Sequence, residues 1–171
     1  MSAAVLCIGT ELTRGELVNT NAPWLSESLT DGGIEVTAIE TVPDDRAIII
    51  ETLRRLSAGH LAIVCTGGLG PTTDDITSEC VADLLGVPLE RDHASLDTIR
   101  SQMERFGRVM ATSNAKQADF PRGAAVLANA KGTAPGFSVA LGHAQAFFMP
   151  GVPREMKTMF REYVAPALAP L

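Results

Sequence analysis

An alternation constrains this chain more than any other feature. Residues 3–8 and 61–65 are short runs, apolar at every position, each followed within two residues by glycine. Such runs have no polar face to offer solvent, so each predicts a strand buried on both sides of a sheet. Ile34, Val36, Ala38 and Ile39 predict a further strand that ends at Val42-Pro43. Between the strands the period changes. Asn21-Ala22-Pro23-Trp24-Leu25 with Leu29 forms an apolar stripe stopped by Gly32-Gly33, and Asp44 opens a stretch carrying Ile49, Leu53 and Leu56 up to Gly59. Ile76, Cys80 and Leu84 run up to Gly86 and Pro88, and Leu96, Ile99, Met103 and Phe106 run up to Gly107. These spacings are helical. Strand alternating with helix predicts an α/β fold with a parallel sheet covered on both faces.

The pattern weakens over residues 107–136, where Pro121, Gly123, Gly132, Pro135 and Gly136 mark loops and Val126-Leu127 predicts a short strand. Residues 137–141 and 145–149, separated by Gly142-His143-Ala144, predict two strands joined by a tight turn, which makes the sheet mixed. Pro150-Gly151-Val152-Pro153 leads into a last helix with Met156, Met159, Phe160, Tyr163 and Val164 on one face, and that stripe and Trp24 are expected in the core.

With 171 residues the chain is expected to be one domain, residues 1–171. Its 46% hydrophobic and 20% charged residues exclude disorder, and a net charge of −6 without any block of like charge disfavours nucleic acid as a partner. Cys7, Cys65 and Cys80 lack metal-site spacing and predict small core residues in a reducing compartment. No basic leader opens the chain and no apolar run approaches the roughly 20 residues of a membrane span. The expected location is the cytoplasm, without a membrane partner.

In an open parallel sheet the carboxyl ends of the strands reach one rim, and ligands bind outside it. Glu11 follows the first strand, Asp44 and Asp45 the second, and Asp74 and Asp75 the glycine-rich segment Thr66-Gly67-Gly68-Leu69-Gly70-Pro71 after the third. Acids distant in sequence are thus expected to meet along one edge. Main-chain N–H groups of the Gly67-Gly68-Leu69-Gly70 loop can cradle phosphate oxygens. The helix start at Gly151 and Arg154 offers a second phosphate site, and Lys116 a further cation. Carboxylates beside a phosphate repel it unless a cation intervenes. Magnesium commonly takes one or two protein carboxylates and completes its shell with phosphate oxygens and water. The expected site therefore has Asp75, with Asp44 or Asp74, positioning a divalent metal that polarises a pyrophosphate linkage and helps deprotonate water.

Each feature also has a plainer reading. The glycine segment can simply turn a strand into a helix, and it matches neither the dinucleotide fingerprint nor the P-loop. Asp74 and Asp75, or Thr73, can cap the following helix, and Asp44 can cap the helix after Pro43. Glu11 and Glu16 can be solvated loop acids, Arg154 and Lys116 ordinary surface cations. His60, His93 and His143 have no partner spacing.

The segments Ile8-Gly9-Thr10-Glu11-Leu12, Gly15-Glu16-Leu17-Val18-Asn19-Thr20-Asn21, Val42-Pro43-Asp44-Asp45 and 66–77 stand in order along the chain. Asn114-Ala115-Lys116-Gln117-Ala118, Gly132-Thr133-Ala134-Pro135-Gly136-Phe137 and Pro150-Gly151-Val152-Pro153-Arg154-Glu155-Met156-Lys157 follow them. Together they resemble the N-terminal domain of competence/damage-inducible protein A, in the molybdopterin-binding domain superfamily of molybdenum cofactor biosynthesis. The resemblance implies a three-layer α/β/α sandwich, mostly parallel with an antiparallel hairpin near its C-terminal end, assembled as a homo-oligomer, dimer or trimer. It implies a site on the loops carrying Thr66, Gly67, Gly68, Gly70, Glu11, Asn19, Lys116, Gly132, Gly151 and Arg154.

Domains similar to it are associated with metal-dependent hydrolysis of ADP-ribose to AMP and ribose 5-phosphate, with magnesium or cobalt as the metal. Related domains bind molybdopterin and adenylylate it, using acids that match Asp44 and Asp75. A non-enzymatic ligand-binding module is the third reading, because a fold can outlast its chemistry. Thr13 and Arg14 stand where the resemblance implies an apolar stretch. Many similar proteins carry a C-terminal amidohydrolase domain acting on nicotinamide mononucleotide. With Leu171 as the last residue, that activity is not expected in this chain.

Overall fold

Strand β1 (Ser2–Ile8) is covered on both sides. In the computed structural model, which describes residues 2–169, its side chains alternate between two cores: Ala4, Leu6 and Ile8 enter one, and Ala3, Val5 and Cys7 the other. That period of two is what an all-apolar strand requires. β1 pairs in parallel with β2 (Glu35–Val42) on one side and β3 (Ala62–Thr66) on the other, and β3 pairs in parallel with β8 (Ala144–Met149). β8 continues antiparallel to β7 (Gly136–Leu141), and β7 to β6 (Ala125–Leu127), giving the order β2-β1-β3-β8-β7-β6. The expected hairpin is therefore present, with Gly142 at φ +61° in its turn.

Helices close both faces. On one, α3 (Arg46–Gly59) buries Ile49, Leu53 and Leu56, and α4 (Thr77–Leu85) buries Cys80 and Val81. On the other, α2 (Asn21–Asp31) buries Ala22, Leu25 and Leu29. It is joined there by α6 (Pro153–Met159), a π-helical turn (Phe160–Val164) and α7 (Ala165–Leu168), whose Met156, Met159, Phe160, Val164 and Leu168 are buried. This is a three-layer α/β/α arrangement. Trp24 is partly buried, edge-on to Phe160 at 5.4 Å, with Lys157 and Arg161 over its ring. Cys7, Cys65 and Cys80 are free and buried, and burial raises their thiol pKa, that of Cys80 to about 11.

Several local expectations are corrected. A short helix α1 (Thr10–Thr13) follows β1 directly. The cap of α3 is Asp45, whose side chain accepts from Ile48 N at 3.0 Å, and not Asp44. α4 starts after Ile76 without a side-chain cap, so Thr73, Asp74 and Asp75 do not cap it. In α5 (His93–Arg105) the apolar stripe fades: Ile99 is buried but Phe106, just past the helix, is 63% exposed. A small antiparallel pair, β4 (Leu89–Arg91) with β5 (Asp119–Pro121), has no sequence signal, because Leu89-Glu90-Arg91 is exposed throughout and carries no apolar alternation. No helix among the described residues is long and apolar enough to cross a membrane.

The stacked pair Phe137 and Phe148, ring centroids 4.6 Å apart and both fully buried, ties β7 to β8. Phe137→Ala is expected to lower unfolding stability by about 3–5 kcal/mol, read as a reduced midpoint in urea with an unchanged slope.

Candidate functional site

The four parallel strands end level. Ile8 pairs with Val42, Cys7 with Thr66, and Thr66 with Met149. Each strand therefore passes its chain into a rim loop at one height, and the rim loops enclose a cavity of about 860 Å³. That volume lies within the range of small-molecule sites.

Gly67 and Gly68 shape the centre. Gly67 has φ +103°, its N–H donates to Met149 O at 3.0 Å, and a Cβ on it would overlap Ile8 O. Gly68 has φ +69°, and a Cβ there would overlap the Thr77 hydroxyl. Thr77, fully buried, fixes the turn: its Oγ1 donates to Gly67 O at 3.0 Å and its N–H to Gly68 O at 3.2 Å. The N–H groups of Gly68, Leu69 and Gly70 have no acceptor among the described residues, and all three residues line the cavity. These amides are the phosphate-binding groups the loop can offer.

The acids are held individually. Asp75 Oδ2 accepts from Thr72 N at 2.9 Å and Thr72 Oγ1 at 2.6 Å, and its carboxylate lies against Gly70. Asp44 Oδ2 accepts from Thr10 N at 2.8 Å, and Asp44 N donates to Thr10 Oγ1 at 3.0 Å. Each keeps an Oδ1 with no donor among the described residues. Asp44, Asp75, Glu11, Glu16 and Glu155 all line the cavity, and no lysine or arginine does. An anion entering the cavity meets five carboxylates and no basic side chain, so charge repulsion opposes it.

Other sequence-designated residues are placed differently. Thr66, Gly67, Gly68, Gly70, Gly151, Glu11 and Asn19 line the cavity, but the Asn19 amide is spent on Thr41 Oγ1 and on Ala22 N at the start of α2. Lys116 lies behind the glycine loop: its Nζ donates to Thr72 O at 2.9 Å and Asp75 O at 2.7 Å, and Glu79 is 3.7 Å away. It braces the loop that carries Asp75. Asp74 is exposed and Arg154 reaches only Lys131 O at 3.4 Å; neither lines the cavity. Gly132 packs against the Glu155 carboxyl outside the lining. Sequence reasoning did not single out Asn21, Thr77 or Glu155. Each stood inside a quoted segment, but only the fold gives the three their partners.

A divalent cation fits this donor set on one condition. No group of three or more His, Cys, Asp or Glu side chains among the described residues could hold a metal alone. Asp44 and Asp75 each offer one free oxygen, which suits an ion that takes part of its shell from a phosphate and water.

Residues 4–170 match the family described as "Probable molybdopterin binding domain". The chain belongs to this family. The chain is 33% identical to the protein CinA from Thermoplasma acidophilum, whose crystal structure matches with a TM-score of 0.89 over 98% of both chains. A CinA-like protein of Anaeromyxobacter sp. (strain K) is 45% identical over 166 residues, covering 97% of this chain and 41% of that relative. The chain thus spans about two fifths of the length of this curated relative. MoaB from Thermus thermophilus, at 21% identity and a TM-score of 0.64 over 98% of this chain and 91% of that one, shares the fold.

In this family member the glycine loop has little tolerance. Gly67→Ala is expected to cost at least about 2 kcal/mol, from positive φ and the overlap with Ile8 O, measured as a lowered thermal midpoint.

Proposed function

We propose that the cavity hydrolyses the pyrophosphate bond of ADP-ribose or a similar nucleoside diphosphate sugar, with magnesium or cobalt. The observation that carries the reading is the joint lining of one cavity by Asp44, Asp75 and the free amides of Gly68, Leu69 and Gly70. A phosphorylated ligand suits the amides, and the five acids without lysine or arginine demand a cation with it. Asp44 and Asp75, which line the cavity as Asp74 does not, would hold that cation. When bound, the metal would neutralise phosphate charge and lower the pKa of water. The Gly68–Gly70 amides orient the phosphate oxygens, and Thr77 and Lys116 keep the loop in shape. The protein works, in this reading, as a cytoplasmic homo-oligomer without nucleic-acid or membrane partners.

The family description favours a second reading, in which the cavity binds molybdopterin; the adenylyl transfer that the resemblance implies would then be its chemistry. A non-enzymatic binding module is the remaining alternative. Release of AMP from ADP-ribose with magnesium or cobalt, lost with chelator, is the expected result. Asp75→Asn is expected to lower kcat at least about a hundredfold while the protein stays folded. Absence of AMP with every divalent ion, together with ATP-dependent adenylylation of the pterin, would replace the first reading by the second. Ligand binding indifferent to changes at Asp44 and Asp75 would leave the module.

A further inference from the structure

Below the cavity four parallel strands run in the order β2-β1-β3-β8. Neighbouring strands lie ~4.8 Å apart, so Asp44 after β2 and Glu155 after β8 belong to loops that leave the sheet ~14 Å apart. Both residues line the cavity. The site therefore has two ends, with the free amides after β3 between them.

Glu155 is held firmly at the β8 end. Its Oε2 accepts a 2.7 Å hydrogen bond from Nδ2 of Asn129, a residue only 6% exposed. The same Nδ2 donates to Ala134 O at 2.9 Å, and Asn129 Oδ1 accepts from Lys131 N and Gly132 N, both at 3.0 Å. A buried amide with all its bonds made is a rigid anchor. Gly132 lies so close to the Glu155 carboxyl that a Cβ there would overlap it. Glu155 Oε1 has no donor among the described residues. A second acceptor waits on the same side: Asn21, 7% exposed, lines the cavity and donates to Gly151 O at 2.8 Å, while its Oδ1 is buried without a donor among the described residues.

A carboxylate and an amide oxygen accept and do not donate, and a carboxylate repels phosphate. Their match is a ligand part that is neutral and rich in donors, and a sugar diol meets both requirements. We infer that Glu155 recognises hydroxyl groups of the substrate's terminal sugar, so that a nucleoside diphosphate carrying a sugar is preferred over the nucleoside diphosphate alone. This rests on the nucleoside diphosphate sugar reading above. Asn129 and Gly132 are positioning residues for the carboxylate.

Isothermal titration calorimetry with the α,β-methylene analogues of ADP-ribose and ADP, in magnesium, tests it, because neither analogue is hydrolysed and only the first has the terminal sugar. Wild-type protein is expected to bind the ADP-ribose analogue about tenfold or more tightly than the ADP analogue. Glu155→Gln is expected to abolish that preference by weakening the ADP-ribose analogue. Gly132→Ala, which keeps the charge but displaces the carboxyl, is expected to diminish the preference in the same way. Equal weakening of both ligands, or a preference retained in both folded variants, overturns the sugar subsite and leaves the pyrophosphatase reading standing. Wild-type protein that binds neither analogue overturns both.

Discussion

Two-sided burial of the central strands governs the rest of this structure. Because β1 and β3 are apolar on both faces, helices must cover both, and each crossover returns the chain to start the next strand in the same direction. The parallel pairs end in register, so the acids and amides that follow them have no other place to go than one rim. The location of the site is a consequence of hydrophobic burial before it is a matter of any acidic residue.

Charge is distributed so that this rim stays negative. Arg46 is engaged by Glu79 and Asp83, Arg55 by Glu40, Arg91 by Asp119 and Arg122 by Glu90, all on the outer surface. Such exposed pairs add little stability, but they occupy the guanidinium groups away from the cavity. Lys116, beside the glycine loop, is turned onto backbone carbonyls of residues 72 and 75. The cavity is left with acids, amides and no lysine or arginine in its lining, and it is on this lining that the proposed divalent ion rests.

The residues between Gly9 and Asn21 illustrate how far local sequence carries. The apolar run before Gly9 announced its strand, while the short helix α1 has too few residues for a periodic signal. Asp44 and Asp45 are adjacent acids, and nothing in their order tells which caps α3. The fold decides, because Asp45 reaches Ile48 N whereas Asp44 is drawn across to Thr10, 34 residues earlier. Phe106 had the spacing of a core residue but lies past the end of α5 with no layer above it.

Sequence alone determined the main strands and helices and their direction, since periodicity, chain-breaking glycines and the lack of a polar strand face are local properties that any neighbour must respect. It also determined that Asp44, Asp75 and Gly67–Gly70 follow strand ends. Tertiary structure decided what each of them touches. Lys116 became a brace and Gly132 a clearance for Glu155, and Asn21 and Glu155 became cavity residues, because those outcomes depend on contacts between segments separated by tens of residues. Hydrogen bonds have a reach of about 3 Å, and only the packed fold says which groups come that close.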